Sequence, residues 1–328
     1  MQAAEATASG EPLCTALTPF YWEIGDKDGP LDSGTGGDNS STPPSAESPM
    51  AIASASKWIF ASYALERLDV SASKPLTTAE VQELNFTSGY DHLSDSSCLL
   101  TTTVGGCLNA SNPSGGLNSD RHSGDVGRFF YNGGHMQTLA VDTFKLGGDY
   151  SSFVSGTPKL ATDIETYVGQ DLLLAYSNPS LAGGADTTAA TYGSFLRKIL
   201  TGDLRMKDYL SADKVCTHTN SSDCPAALYS PVNQTAPGPV NDVSDEAWHY
   251  SLGHWIEDDP KVGDGAFSSP GADGFYPWID ASVTYYGVLA RYVPIAQANA
   301  APAKQKPGEL SVYCGRAIRK AWMTGETQ

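Results

Sequence analysis

The sequence is poor in basic residues and has no long hydrophobic segment. Lys and Arg total 20 against 37 Asp and Glu, which gives a formal net charge of -17 at pH 7. A surface of this charge repels nucleic-acid phosphates and anionic lipid. No apolar run approaches the ~20 residues that cross a bilayer. We therefore expect no nucleic-acid partner and no membrane span, and predict a soluble protein that acts outside the cytoplasm on a neutral or cationic substrate.

Several catalytic and cofactor motifs are also missing. There is no Gly-x-Ser-x-Gly motif, which argues against an α/β-hydrolase. No glycine-rich phosphate loop follows a predicted strand. The 6 histidines lack a metal-binding spacing, and no Cys-x-x-Cys is present. The sequence therefore predicts neither a cofactor nor a metal.

The cysteines are even in number, 6 in all, and two pairs of them bracket short polar loops. Loops of Ser, Asn, Thr and Gly offer little apolar cover for a buried thiol, so we favour disulfides over six free thiols. The predicted pairs are Cys98–Cys107, Cys216–Cys224 and Cys14–Cys314. Disulfides indicate an oxidising compartment. Met1 leads directly into a polar sequence, which we interpret as an added start codon on a mature secreted or periplasmic form.

The order of predicted elements indicates an α+β fold. We predict a hairpin over 20–29, a loop over 33–49, a buried helix from Ser56, an ordered surface excursion over 87–127, helices over 134–146, 158–175 and 188–200, a loop over 211–245, strands over 248–256, 274–280 and 283–291, and a final helix over 309–323. Strands at both ends of the chain favour an antiparallel sheet flanked by helices, with a helical lobe inserted. In this single unit, 1–328, the sheet lobe is 14–50 with 246–325 and the helical lobe is 51–245.

The run 54–57, Ser-Ala-Ser-Lys, opens the predicted buried helix. Three residues separate Ser54 from Lys57, so both side chains lie on one face. Free N–H groups at a helix N-terminus stabilise a developing oxyanion near Ser54. Burial among apolar neighbours disfavours the charged form of Lys57, so that it can accept the serine proton. The alternative is an N-capping serine followed by an ordinary lysine.

A second segment, 127–135, reads Gly-Arg-Phe-Phe-Tyr-Asn-Gly-Gly-His. Together with the Ser-x-x-Lys run it resembles the serine β-lactamase and penicillin-binding-protein superfamily, in particular class C β-lactamases, DD-peptidases and family VIII esterases. The resemblance implies that Tyr131 is a catalytic tyrosine, whereas a core aromatic is the alternative. Gly133 stands where the family has asparagine, and Asn132, one position early, is the candidate substitute in substrate binding.

The third resemblance lies on the late strands. Segment 268–275 resembles the family's Lys/His-Thr/Ser-Gly-x-x-Gly-Phe strand, and segment 250–255 resembles its Tyr-Gly-Leu-Gly-Trp-Trp. The resemblance implies that Gly271 lets the substrate backbone approach closely. It also implies an oxyanion hole formed by the backbone N–H groups of Ser54 and Ala272.

The third segment departs from the family at two positions. Ser269 replaces the cationic Lys or His, although it is still a candidate for substrate binding, and Pro270 replaces Thr or Ser. The departure removes the charge and the hydroxyl that hold a β-lactam or peptide carboxylate. It favours a substrate without that carboxylate.

We therefore predict an exported serine hydrolase that forms an acyl-enzyme at Ser54. The expected partner is a small-molecule or oligomeric ester or linear amide with an apolar or neutral acyl part, and the oligomeric state is left open. One alternative is a true β-lactamase or DD-peptidase. A second is a non-catalytic binding protein of the same fold, which the altered segment 269–271 and the missing asparagine motivate.

Overall fold

A computed structural model describes residues 2–147, 159–219, 221–232, 246–294, 296–297 and 306–328. Three of the predictions fall partly outside these ranges: Met1, the first residue of the helix 158–175, and residues 220 and 233–245 of the loop 211–245. Within the described ranges, no helix is long and apolar enough to cross a membrane.

Helices surround a central sheet. The α-helices are α1 Gln2–Gly10, α2 Pro12–Thr15, α3 Ser56–Arg67, α4 Thr78–Leu84, α5 Asp95–Cys98, α6 Val104–Leu108, α7 Gly134–Thr138, α8 Lys159–Val168, α9 Ala189–Thr201, α10 Met206–Tyr209 and α11 Pro307–Thr324. Short 3-10 turns cover Ala53–Ala55, Ser123–Asp125 and Gln170–Leu172, and one π-helical turn covers Leu139–Thr143. The α+β class predicted from the sequence is confirmed.

The strands form one large and two small sheets. They are β1 Phe20–Asp26, β2 Gly29–Gly36, β3 Met50–Ala51, β4 Phe129–Phe130, β5 Ala175–Tyr176, β6 Ala185–Thr187, β7 Val215–Cys216, β8 Ala227–Tyr229, β9 His249–Tyr250, β10 Trp255–Ile256, β11 Phe267–Ser268, β12 Tyr276–Ile279 and β13 Tyr285–Ala290. The large sheet has 8 strands in the order β2-β1-β13-β12-β11-β10-β9-β7, paired antiparallel. The small sheets are β3-β6-β5 and the parallel pair β4-β8.

Both faces of the large sheet are covered, which explains its apolar strands. In β1 and β12 almost every residue is buried, because α9 packs against β1 and β13 while α11 packs against β12 and β13. A strand buried on both faces reads as a continuous apolar run rather than an alternating one. Beneath the sheet, α3 is buried from Ser56 to Leu65 and forms the centre of the molecule.

The two ends of the chain meet on one face of the sheet. Helix α1 packs on α11, and Cys14 in α2 is joined to Cys314 in α11 by a disulfide with an S–S distance of 2.02 Å. The other predicted pairs, Cys98–Cys107 and Cys216–Cys224, are also bonded. All three predicted pairings are confirmed. The division into a sheet lobe and a helical lobe stays a prediction.

Several local predictions were wrong. Helix α8 ends at Val168, well inside the predicted helix 158–175, and the predicted loop 211–245 contains strands β7 and β8. The segment 248–256 is a hairpin rather than one strand: β9 and β10 pair antiparallel, and Gly253 turns between them with a φ of +76°. Its aromatic alternation hid the turn, because Tyr250 and Trp255 are both buried. The loop predicted over 33–49 begins only after Gly36, since β2 extends to that residue and pairs with β1. Helix α1 was not predicted, because its alanine-rich sequence carries almost no apolar periodicity.

Candidate active site

A cavity of about 480 Å³ lies where α3, the end of β11 and the start of α11 meet. This volume is typical of a small-molecule site. Ser54, Lys57 and Tyr131, which are separate in sequence, all line it. The cavity is also lined by Asp95, Leu99, Asn132, Gly133, Asn178, Ser180, Ala182, Gly183, Pro231, Val232, Trp248, Trp255, Pro270, Gly271, Ala272, Asp273, Lys306, Gly308, Glu309 and Val312.

Ser54 lies in the 3-10 turn just before α3, not within the first helical turn itself. The preceding residue, Ala53, has a φ of +44°, a conformation that is costly for a residue with a Cβ. Hydrogen bonds on both sides hold the turn: Tyr192 donates its hydroxyl to the carbonyl of Ala55 at 2.9 Å, and Ser56 Oγ donates to the carbonyl of Ala53 at 2.6 Å. The serine is thereby presented to the cavity on a fixed backbone.

Lys57 is hydrogen-bonded to Ser54. Its Nζ donates to Ser54 Oγ at 2.9 Å and to the carbonyl oxygen of Ala182 at 2.7 Å, and the residue is only 5% exposed. The contact to Ser54 is the geometry that a base needs to take a proton from a nucleophile. The structure thus brings together the two residues that the Ser-x-x-Lys run predicted.

The carbonyl of Ala182 is a site feature that the sequence did not reveal. Gln137 in α7 positions it, since Gln137 Nε2 donates to the carbonyl of Pro179 at 2.8 Å and Oε1 accepts from the N–H of Leu181 at 3.1 Å. A Cβ on Gly133 would lie 3.0 Å from the Cβ of Ala182. Glycine at this position therefore makes room for the loop whose carbonyl binds the lysine.

Tyr131 faces Lys57 with its ring. The Lys57 Nζ lies 4.8 Å from the centroid of the Tyr131 ring. The ring of Trp255 is stacked on that of Tyr131, with 5.2 Å between the two centroids. Among the described residues, the Tyr131 hydroxyl makes no hydrogen bond to Ser54 or Lys57. Tyr131 is thus next to Ser54 and Lys57 and contacts the Lys57 amine through its π face.

Asn132 lines the cavity, but its side chain mostly serves a neighbouring loop. Its Oδ1 accepts from the N–H groups of Leu93 at 3.1 Å and Gly134 at 2.8 Å, and its Nδ2 donates to the carbonyl of Leu93 at 3.0 Å. Both acceptor positions of the amide oxygen are therefore used within the protein. Asn132 was predicted to bind substrate, and one N–H of its amide is left for that role.

The predicted oxyanion hole has its two donors on the cavity wall. Neither Ser54 nor Ala272 donates its N–H to another backbone group in the described part of the chain. Ser269 Oγ donates to the carbonyl of Ser54 at 3.0 Å and so ties the end of β11 to the nucleophile turn. A Cβ on Gly271 would lie 2.3 Å from the carbonyl oxygen of Ile52. The close approach at Gly271 is therefore to the chain's own backbone.

Neither Arg128 nor His254 lines the cavity, whereas Lys306 does. Arg128 pairs with Asp125 at 3.3 Å. His254 is fully buried against Trp58, and burial lowers its pKa to about 4, opposed by hydrogen bonds to two carbonyl groups.

The aromatic residues Trp248 and Trp255 line the cavity, whereas Trp22, Tyr250, Tyr276 and Trp278 are buried in the core. Conversely, sequence analysis missed Asp273, which directly follows Ala272 and faces the cavity. Its position between Gly271 and Gly274, next to a predicted oxyanion donor, was the available signal.

One group of possible metal ligands lies outside the cavity. Ligand atoms of Asp91, His122 and Asp125 are within 4.8 Å of one another. His122 Nδ1 lies 2.6 Å from Asp91 Oδ1, and burial raises the pKa of Asp91 while His122 lowers it. The sequence spacing could not indicate this cluster, because 31 residues separate its histidine from Asp91. An ordinary histidine–carboxylate hydrogen bond accounts for the contact.

The fold of this chain is that of the serine β-lactamases and penicillin-binding proteins, as its similarity to solved structures shows. A predicted β-lactamase from Bacteroides dorei superposes with a TM-score of 0.57 and 18% identity, covering 93% of this chain and 94% of that one. A β-lactamase from Mycobacterium bovis gives 0.54 and 17%, covering 99% and 100%. A D-stereospecific amidohydrolase from Streptomyces gives 0.55 and 14%, covering 99% and 98%. No protein-family model matches the chain, and comparison with curated proteins finds no significant match.

Proposed function

We propose that this protein is an exported serine hydrolase that cleaves esters or linear amides through an acyl-enzyme at Ser54. The observation that carries the proposal is the 2.9 Å contact between Lys57 Nζ and Ser54 Oγ, on the wall of a cavity of small-molecule size. A serine that merely capped a helix would have no need of a buried amine as its partner.

The first step follows from that contact. Neutral Lys57 takes the proton of Ser54 Oγ as the oxygen bonds to the substrate carbonyl carbon. The negative charge moves to the carbonyl oxygen, and the free N–H groups of Ser54 and Ala272 stabilise it. The carbonyl of Ala182 fixes the ammonium form of Lys57 after the transfer, since it accepts a hydrogen bond at 2.7 Å.

The second half of the reaction returns the proton. The bond to the leaving group breaks as its alkoxide oxygen or amide nitrogen takes up the proton held by Lys57. Tyr131, the proposed third catalytic residue, lines the cavity beside Lys57 and contacts it through the ring face, which would stabilise the lysine cation formed in the first step. Water then attacks the acyl-enzyme, with Lys57 again as base, and regenerates Ser54.

The substrate is proposed to lack the carboxylate that β-lactams carry. Ser269 uses its hydroxyl on the nucleophile turn, and Pro270 has no N–H to offer. Among solved structures of this fold, the name of the Streptomyces protein describes it as an amidohydrolase. We propose the same broad class, ester or linear amide cleavage, for this chain.

Export is part of the proposal. Three disulfides, one of which joins residues 300 positions apart, support folding in an oxidising compartment. Non-reducing peptide mapping of protein purified from its native location should recover all three pairs. Free thiols at Cys98 or Cys216 in that sample would remove the argument for export.

Labelling with a fluorophosphonate probe tests the nucleophile. We expect one label on the native protein, at Ser54, and none on the Ser54→Ala variant. Turnover of p-nitrophenyl butyrate by the same sample tests catalysis. A protein that neither takes the label nor cleaves the ester is the non-catalytic binding protein of the same fold, and the proposal would be wrong.

A further inference from the structure

Asp273 is a cavity residue that the proposed reaction does not use. It lies in the turn after the oxyanion-hole residue, is 9% exposed, and lines the cavity. In the described part of the chain its carboxylate accepts no hydrogen bond and joins no ion pair, although its own backbone carbonyl accepts from Val293 at 2.8 Å. Burial alone raises the pKa of Asp273, to about 6.

The cations packed around this turn are engaged elsewhere. Arg291, which lies against Gly274, donates to Ser311 Oγ at 2.8 Å, to Thr18 Oγ1 at 3.0 Å and to the carbonyl of Pro307 at 2.7 Å. The cavity residues Lys306 and Glu309, from the start of α11, have partners of their own. Within the described part of the chain, no hydrogen bond or ion pair joins the carboxylate of Asp273, which lines the cavity, to a cation.

We propose that Asp273 binds an ammonium group of the substrate. A buried carboxylate without a partner is unfavourable, and an ammonium group of a ligand in the cavity would supply the opposite charge. The inference rests on the proposed hydrolase function and narrows its substrate class to aminoacyl or aminoalkyl esters and amides. This cationic substrate class replaces the substrate with an apolar or neutral acyl part that the sequence analysis expects. The missing carboxylate anchor at Ser269 and Pro270 agrees with a site selective for positive charge.

Matched substrate pairs test the preference. On the acyl side, we would compare alanine p-nitroanilide, as both enantiomers, with propionyl p-nitroanilide. On the leaving-group side, we would compare aminoethyl butyrate with propyl butyrate. A charge-assisted hydrogen bond contributes enough for a preference of about ten- to a hundredfold in kcat/KM. We expect this preference in at least one pair, expressed mainly in KM because the contact exists before the chemical step.

The Asp273→Asn variant tests the residue. We expect it to lose the preference: kcat/KM for the charged member falls about ten- to a hundredfold, whereas the neutral member changes less than about threefold. The control is Asp208→Asn, which removes an exposed acid in α10 and should alter neither member. Asp273→Asn that lowers both members of a pair equally would show that Asp273 only positions the oxyanion turn, and the proposal would be wrong.

A binding measurement separates the failure of this inference from the failure of the proposed function. Calorimetric titration of Ser54→Ala with alaninamide and with propionamide requires no turnover, and we expect the charged amide to bind at least tenfold more tightly. Equal affinities would overturn the inference even if Ser54 is the nucleophile. Conversely, tighter binding of alaninamide without any labelling of Ser54 in the native protein would retain the cation site and reject the hydrolase. The same titration of the native protein decides the matter if Asp273→Asn does not fold.

Discussion

Two regions of this molecule treat their buried charges differently. Between α11 and the sheet, Arg319 is 1% exposed and lies 2.7 Å from Glu257, which is fully buried. Asp264 Oδ2 accepts from Arg319 Nε at 2.8 Å, and the Tyr276 hydroxyl donates to Glu257 Oε1 at 2.6 Å. Every charge there has a partner within the protein.

The cavity presents the opposite arrangement. Asp273 has no cation in the described part of the chain, the strand end at Ser269 carries none, and the N–H groups of Ser54 and Ala272 have no backbone acceptor. A saturated ionic network maintains a fold, whereas unpaired donors and acceptors on a cavity wall are available to a ligand. The difference separates residues whose loss should unfold the protein from residues whose loss should change its chemistry.

Ser54→Ala should give the largest functional effect. Removing the nucleophile of a catalytic unit lowers kcat by on the order of 10⁶, while the melting temperature should stay within a few degrees because Lys57 keeps its hydrogen bond to the carbonyl of Ala182. Steady-state kinetics and a thermal melt on one sample test both parts. More than about a tenth of native activity in this variant would mean that Ser54 is not the nucleophile.

Arg319→Met should lower the stability of the fold, whereas Ser54→Ala lowers activity. Arg319→Met removes the closer of the two cations beside buried Glu257 and leaves only Arg316, at 3.4 Å. Breaking a buried pair typically costs about 3–5 kcal/mol. Urea denaturation measures the loss, and adding Glu257→Gln should recover part of it because a buried charge that has lost a partner is removed. The matched control is Lys27→Met, which breaks an exposed pair with Asp28 and should leave the urea midpoint nearly unchanged. Similar losses in the two single variants would contradict this view of the network.

Esters should be cleaved faster than β-lactams. Without a cation or a free hydroxyl at Ser269 and Pro270, the β-lactam carboxylate loses its anchor, and we expect kcat/KM for p-nitrophenyl butyrate to exceed that for nitrocefin by at least about a hundredfold. Both substrates are measured with one enzyme batch. Nitrocefin turnover equal to or faster than ester turnover would identify a true β-lactamase, and Lys306, the remaining cation on the cavity wall, would be the first residue to test as its anchor.

Asp273→Asn should give the smallest effect, and in the stabilising direction. The raised pKa of Asp273, about 6, means that the folded state holds the proton more tightly than the unfolded chain. Its ionisation therefore reduces stability as pH rises from about 4 to 6. We expect the variant to raise the free energy of unfolding by about 1–3 kcal/mol at pH 7.5 and by little at pH 4. Urea titrations at both pH values test this, and a loss of stability at pH 7.5 would indicate a structural partner for the carboxylate.

Short-range chemistry explains which predictions were confirmed. Apolar runs such as Phe20–Ile24 were correctly predicted as strands, because the β-propensity of their residues can be recognised without knowing a distant partner. The cysteine pairs 98–107 and 216–224 were recoverable because few residues separate their members. The wrong predictions, such as the single strand over 248–256, arose where the aromatic pattern continues through a turn.

The sequence by itself determined the fold class, the disulfide pairs and the proximity of Ser54 and Lys57, since one helical turn brings them together whatever surrounds them. Only the tertiary structure decided what the two residues face. The carbonyl of Ala182 reaches Lys57 across 125 residues, and Ser269 reaches the carbonyl of Ser54 across 215. The lack of a counter-ion for Asp273 is likewise a property of packing, because whether a charge is paired depends on every element that surrounds it and not on its own segment.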